Sequence, residues 1–243
     1  MNSVFSTQSF GDSRFFVFCD HASNAISYHL NALGLPEDLL DTHIAWDIGA
    51  GALSKALAKK LSATQFQCEF SRLIIDPNRA PSASDIIPAS SDHIPIPGNR
   101  EITEASRAAR LKDFHEPYHA ALGDGLDQIT KRCNTPFVIS VHSFTERLMG
   151  AEERRPWKIG LLWRDDEESA RAMMRQLKAD TGWSIGDNEP YDARVFNYSI
   201  DRHVSPRNLP HLTMEIRQDL IGDSRGVQEI AAIIEHAVRT ITA

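Results

Sequence analysis

Short apolar runs that stop at polar groups alternate along this chain with stretches of helical periodicity, and this alternation constrains the fold more than any other feature. Phe15-Phe16-Val17-Phe18-Cys19 is uninterrupted and apolar, then gives way to Asp20-His21-Ala22-Ser23-Asn24. Leu73-Ile74-Ile75 is closed by Asp76-Pro77, and Phe137-Val138-Ile139-Ser140-Val141 by His142-Ser143. Residues 158–163 and 211–216 are two further candidate strands, the second carrying Glu215. Between them, residues 42–61 (Ile44, Ile48, Leu53, Leu57, Leu61) and 224–241 (Val227, Ile230, Ile234, Val238, Ile241) show the spacing of amphipathic helices. Residues 101–130, with a break near Pro117, and 165–180 also read as helix. The expected fold is α/β: a single three-layer domain over 1–243, with a mostly parallel mixed sheet and helices on both faces. Residues 1–13 are polar and read as a loose arm. Residues 77–99 hold five of the 12 prolines and are expected to form a long ordered loop or lid.

In sheets of this kind ligands sit at the carboxyl ends of the strands. The polar groups Asp20-His21, Asp76-Asn78-Arg79, His142-Ser143 and Glu215 lie at those ends, so four chain-distant segments converge on one edge. Composition narrows the chemistry they can serve. Net charge is −7, with no basic surplus for nucleic acid. The three cysteines are scattered, which argues against a disulfide framework or a zinc finger. No apolar run approaches the roughly 18 residues of a membrane span. The N-terminus lacks the pattern of a signal peptide, so the cytoplasm is the expected compartment.

His21 and His142 each follow an apolar strand, where a neutral imidazole can bind zinc or simply cap its strand. Catalytic zinc takes three protein ligands and a water. Asp47 is a candidate for the third, or else a charge favoured by a helix N-terminus. Asn24 is the alternative third ligand, and His43 a more remote one. Arg72, Asn78 and Arg79 flank the run 73–76; one arginine can hold a substrate carboxylate while another stabilises an oxyanion. Glu215 sits where a carboxylate is partly buried. It reads as a general base, or as the partner of Arg217 or Arg194.

Five ordered blocks spanning roughly residues 17–220 carry a resemblance: Cys19-Asp20-His21-Ala22-Ser23-Asn24; His43-Ile44-Ala45-Trp46-Asp47-Ile48-Gly49-Ala50; Ser71 to Arg79; Val141-His142-Ser143-Phe144-Thr145; and Pro210 to Leu220. With them the chain resembles the N-formylglutamate amidohydrolase family, which is related to zinc carboxypeptidases and to the aspartoacylase and succinylglutamate desuccinylase group. The resemblance implies a zinc-carboxypeptidase-like fold and a Zn2+-dependent hydrolysis of an N-acyl amino acid, with N-formyl-L-glutamate the expected substrate and another divalent metal the alternative to zinc. It implies His21 and His142 as metal ligands, Glu215 as base, Arg72 at the scissile carbonyl, and Asn78-Arg79 at the substrate carboxylate. The related group has a glutamate on the first loop where this chain has Asn24, so Asp47 is taken as the third ligand. The alternatives are the same chemistry on another N-acyl amino acid or small peptide, and a non-catalytic carboxylate-binding relative.

Overall fold

A computed structural model describes residues 3–11 and 13–243. In chain order the elements are β1 (Phe5–Ser9), β2 (Phe15–Cys19), α1 (Glu37–Leu40), α2 (Ala50–Leu61), β3 (Thr64–Cys68), the short hairpin β4 (Ser90–Ser91) and β5 (Ile94–Pro95), α3 (Glu104–Arg110), α4 (Glu116–Arg132), β6 (Phe137–Phe144), β7 (Ile159–Leu162), α5 (Glu167–Thr181), β8 (Ile185–Asp187), α6 (Tyr198–His203), β9 (His211–Arg217) and α7 (Ser224–Ile241). Seven strands form one sheet in the order β1-β3-β2-β6-β9-β7-β8. β1 runs antiparallel to β3 and β7 antiparallel to β9; the other neighbours are parallel.

Both faces of the sheet are covered, which explains why the central strands read as continuous apolar runs. Along β2, Phe15, Val17 and Cys19 pack with α2, α5 and α7, while Phe16 and Phe18 pack with α4 and α6 on the other face. This is the period-two alternation of a strand buried on both sides. The three-layer α/β reading therefore holds. Among the described residues no helix is long and apolar enough to cross a membrane.

Four local expectations differ. The arm expected over 1–13 contains β1, whose residues pair with β3; residues 1, 2 and 12 of that arm lie outside the described residues. β3 itself reads poorly from sequence because Gln65 and Gln67 sit inside it, satisfied by one another and by Ser54 and Glu69. The helix expected from 42 begins only at Ala50, because Gly49 turns the chain with φ 79°.

Leu73-Ile74-Ile75 is fully buried yet forms turns rather than a strand. Side chains do the work of a missing partner strand: Asn99 Nδ2 donates to Leu73 O (2.8 Å) and Arg110 Nη1 to Ile74 O (2.8 Å). Nearby carbonyls are held the same way, with Arg107 Nη2 donating to Pro81 O and Ala83 O. A proline-rich loop has few N–H groups with which to pair its own carbonyls, so its order depends on such donors. The loop over 77–99 contains the β4–β5 hairpin. The break expected near Pro117 is a π-turn, Leu111–His115, that joins α3 to α4 without ending the helix.

Candidate active site

His21 lies two residues past the end of β2, and Asp47 lies in the turn before α2, its N–H bonded to His21 O at 2.9 Å. The turn is fixed by Gly49: a Cβ there would lie 2.3 Å from Ile221 O. β6 runs past its expected end, so His142 is inside the strand and pairs in register with Glu215 on β9. His21, Asp47 and His142 are all buried, and their ligand-type atoms lie within 4.8 Å of one another.

The orientation of each ring is set by its second nitrogen. His21 Nε2 donates to Asp76 Oδ1 at 2.8 Å, which leaves Nδ1 with its lone pair facing Asp47 Oδ2 at 3.4 Å. Arg72 Nη2 contacts that same Nδ1 and donates to Asp47 Oδ1 at 2.6 Å. A positive group is therefore lodged against these two donors. His142 turns Nδ1 to Asp47 Oδ2 (3.0 Å), with Nε2 near Ser140 Oγ (3.1 Å) and Asp20 Oδ2 (3.7 Å). Asp20 is held by Tyr118 Oη (2.6 Å) and Ser199 Oγ (2.8 Å). An imidazole whose far nitrogen is fixed by a carboxylate or hydroxyl is the usual arrangement behind a metal ligand.

The electrostatics follow from this packing. Burial works against the Asp47 charge, but Arg72 and the two histidines overcome it and hold the carboxyl well below its ordinary range. Asp76 is likewise held low, burial being outweighed by His21 and the nearby arginines. Burial disfavours a charged His142, yet its bond to Asp47 and the charge of Glu215 raise it to about 9. Glu215 behaves oppositely: burial raises its carboxyl to about 7 against the pull of His142. Its Oε2 and the Nε of Arg72 have no hydrogen-bond partner among the described residues. Arg217 pairs with Asp219 and Glu146, and Arg194 with Asp192, so neither neutralises Glu215.

These groups line a cavity of about 200 Å³ together with Asn78, Arg79, Tyr191 and Phe196. Arg79 stacks its guanidinium 4.4 Å from the Phe196 ring centroid and donates to Asp85. Asn78 donates its N–H to Asp76 Oδ1 and accepts from Ser199 N. Asn24 is not in the cluster; its Nδ2 donates to Leu40 O and Asp41 Oδ1. His43 is also elsewhere, bonded to Asp92. Larger surface depressions of about 690 and 820 Å³ contain none of the histidines described here.

Sequence reasoning placed Asp20 and Asp76 at the right edge without giving either a role. Their adjacency to His21 and to Asn78-Arg79 was the available signal. Tyr191 and Phe196 had no signal, because they lie on a segment without regular periodicity.

The model of the N-formylglutamate amidohydrolase family matches residues 13–222. The chain is similar to the crystal structure of gene product Atu2144 from Agrobacterium tumefaciens, at 29% identity and TM-score 0.93, over 100% of this chain and 97% of that one. It is also similar in fold to N-formylglutamate amidohydrolase from Ralstonia eutropha JMP134, at 20% identity and TM-score 0.74, over 98% and 97%. No curated protein matches the chain. A family match over most of the sequence, set beside the buried cluster of histidines and carboxylates, makes this chain an amidohydrolase that belongs to the N-formylglutamate amidohydrolase family.

Proposed function

We propose that the chain hydrolyses N-formyl-L-glutamate to formate and L-glutamate with a divalent metal, zinc, held by His21, His142 and Asp47. The observation that carries this reading is the donor set itself: two imidazole Nδ1 atoms and one carboxylate converge in a buried cavity. The tautomer of His21 fits a metal, since Nε2 is committed to Asp76 and Nδ1 keeps its lone pair. A divalent ion bound there supplies Lewis acidity and makes water a better nucleophile near neutral pH.

The chain's own residues account for the other requirements. Glu215, unpartnered at Oε2, takes a proton from the attacking water as its oxygen bonds to the formyl carbon. When the C–N bond breaks, Glu215 returns that proton to the leaving nitrogen, so the proton count closes. A carboxyl at about 7 is suited to both halves of the cycle. Arg72 has a free Nε donor with which to stabilise the oxyanion. Arg79, with Asn78 beside it, holds the substrate carboxylate. A cavity of about 200 Å³ is below the roughly 300–1,000 Å³ of sites for drug-sized ligands, which favours a small acyl amino acid over a peptide.

The test is hydrolysis of N-formyl-L-glutamate beside N-acetyl- and N-succinyl-glutamate, by protein loaded with zinc and by protein stripped with chelator. The reading expects formate release from the first substrate by the loaded protein. Preference for another acyl group, or full activity after the metal is stripped, counts against it.

A further inference from the structure

Three buried histidines lie behind the site and take no part in the chemistry above. His115 Nε2 lies 3.0 Å from Arg79 O, and His119 Nε2 lies 2.9 Å from Pro77 O. Carbonyls only accept, so both imidazoles carry their proton on Nε2 and donate. His119 Nδ1 is then an acceptor, 2.9 Å from His203 Nε2, which donates to it. This relay fits neutral rings, and burial lowers His119 to about 2 and His203 to about 4. His115 and His119 are wholly buried, and the Tyr198 ring packs against both.

The two accepted carbonyls bracket Asn78. The same short turn, 76–79, carries Asp76 at one end and Arg79 at the other, and Asp76 fixes His21. The turn thus ties the orientation of a candidate metal ligand to the position of the candidate substrate anchor. His115 and His119 stand one helical turn apart, which puts them on one face of the helix. That face also carries Arg107 and Arg110, the donors to the loop carbonyls at 74, 81 and 83. On an uninterrupted α-helix, residues five apart are about 140° around the axis from one another. The π-turn over Leu111–His115 adds a residue to that turn and returns Arg110 and His115 to one side.

We infer that His115 and His119 are positioning residues: their Nε2–H donors fix the 76–79 turn so that Arg79 meets the substrate carboxylate at a set distance from His21. The inference rests on the proposal that Arg79 holds that carboxylate. A bond that only positions an anchor acts on ground state and transition state alike, so its loss raises KM and spares kcat.

The experiment is steady-state hydrolysis of N-formyl-L-glutamate by the zinc-loaded full chain and four variants. His115→Phe removes one donor and keeps a planar aromatic ring, somewhat larger than the imidazole; His115→Gln restores an N–H of similar reach. The expected result is a KM raised about tenfold in His115→Phe, with kcat changed by no more than about twofold. His115→Gln should return KM most of the way. Arg79→Gln should raise KM at least as far, and His115→Phe added to it should cause no further rise, because the two act through one contact. A folded His115→Phe protein with unchanged KM, or KM effects that simply multiply in the double variant, overturns the positioning role while leaving the Arg79 reading intact. If Arg79→Gln itself leaves KM unchanged, the Arg79 reading fails instead. A measurement on the unaltered protein stands apart from all folding effects: histidine ¹⁵N shifts should show His115 and His119 as neutral Nε2–H tautomers, and an Nδ1–H form of either overturns the inference.

Discussion

His142 on β6 and Glu215 on β9 are register partners on adjacent parallel strands, so the candidate ligand and the candidate base are held by the same backbone ladder. That ladder is indifferent to the Glu215 side-chain charge. Glu215→Gln should therefore lower kcat about a thousandfold while zinc content, measured by atomic emission, stays near one per chain. Near wild-type turnover in this variant would remove Glu215 from the mechanism.

Asp47 touches both histidines and Arg72, and makes the cluster a single unit. His142→Ala and Asp47→Asn should each lose bound zinc on dialysis and lose activity with it. A full zinc complement in either variant would show that the ion sits elsewhere.

Arg72 neutralises Asp47 in the metal-free chain, at 2.6 Å. Breaking a fully buried pair by removing one partner costs about 3–5 kcal/mol, and the partly exposed Arg72 side chain places this pair below that range. Arg72→Gln should therefore destabilise metal-free protein. Zinc-loaded protein should lose less, since an ion held as proposed would also neutralise Asp47. Urea unfolding with and without zinc measures the difference, and equal losses in both states would contradict the shared role.

Protonation gives metal-free protein a characteristic pH dependence. His142 is raised from 6.5 to about 9 and Glu215 from 4.5 to about 7, so in both cases the folded chain binds its proton more tightly than the unfolded one. Their contributions to stability are complete below the lower value and fade as pH rises through the higher one. Asp47 and Asp76 have the opposite sign, contributing above their ordinary value of 3.8 and failing only on acidification. Metal-free Tm should fall from about pH 4.5 to about pH 9, on the order of 5 °C, and Glu215→Gln should remove the part of that fall below about pH 7. Zinc held by His142 as proposed would displace its proton, so the Tm gain from zinc should grow as pH rises toward about 9. Calorimetry would show a flat or rising metal-free Tm between about pH 7 and pH 9 if His142 were neutral.

Gly49 lets the chain turn into α2 two residues after Asp47. A β-carbon at this position meets both an unfavourable φ and the Ile221 carbonyl at 2.3 Å. Gly49→Ala should cost more than about 1 kcal/mol in denaturant unfolding and weaken zinc affinity through displacement of Asp47. Unaltered zinc affinity in a destabilised variant would separate the turn from the site.

Much of the sheet was legible because β2, β6 and β9 are buried on both faces and announce themselves as apolar runs. The failures have one physical source, since apolarity reports burial and not hydrogen-bond partners. Leu73-Ile74-Ile75 is as apolar as β2, yet its carbonyls end on Asn99 and Arg110 side chains. β3 is a true strand concealed by two glutamines that satisfy each other. At the site, His21, His142, Glu215 and the Asn78-Arg79 pair stood at strand ends or beside apolar runs. Asp47 could not be oriented from sequence, because its place depends on a single glycine turn rather than on periodicity. Asp20 and Asp76 gain their meaning only from contacts with residues distant in the chain.

The π-turn between α3 and α4 also bears on how such a chain can change over time. Arg107 and Arg110 precede it, and His115 and His119 close or follow it, so the phase between the two pairs depends on one supernumerary residue. Deleting any one residue from 111–115 lets the helix relax to regular pitch and forces a choice between the two sets of carbonyls. This helix should accept many exchanges of side chain on its outer face, yet almost no insertion or deletion. In this enzyme the length of that segment is set by geometry.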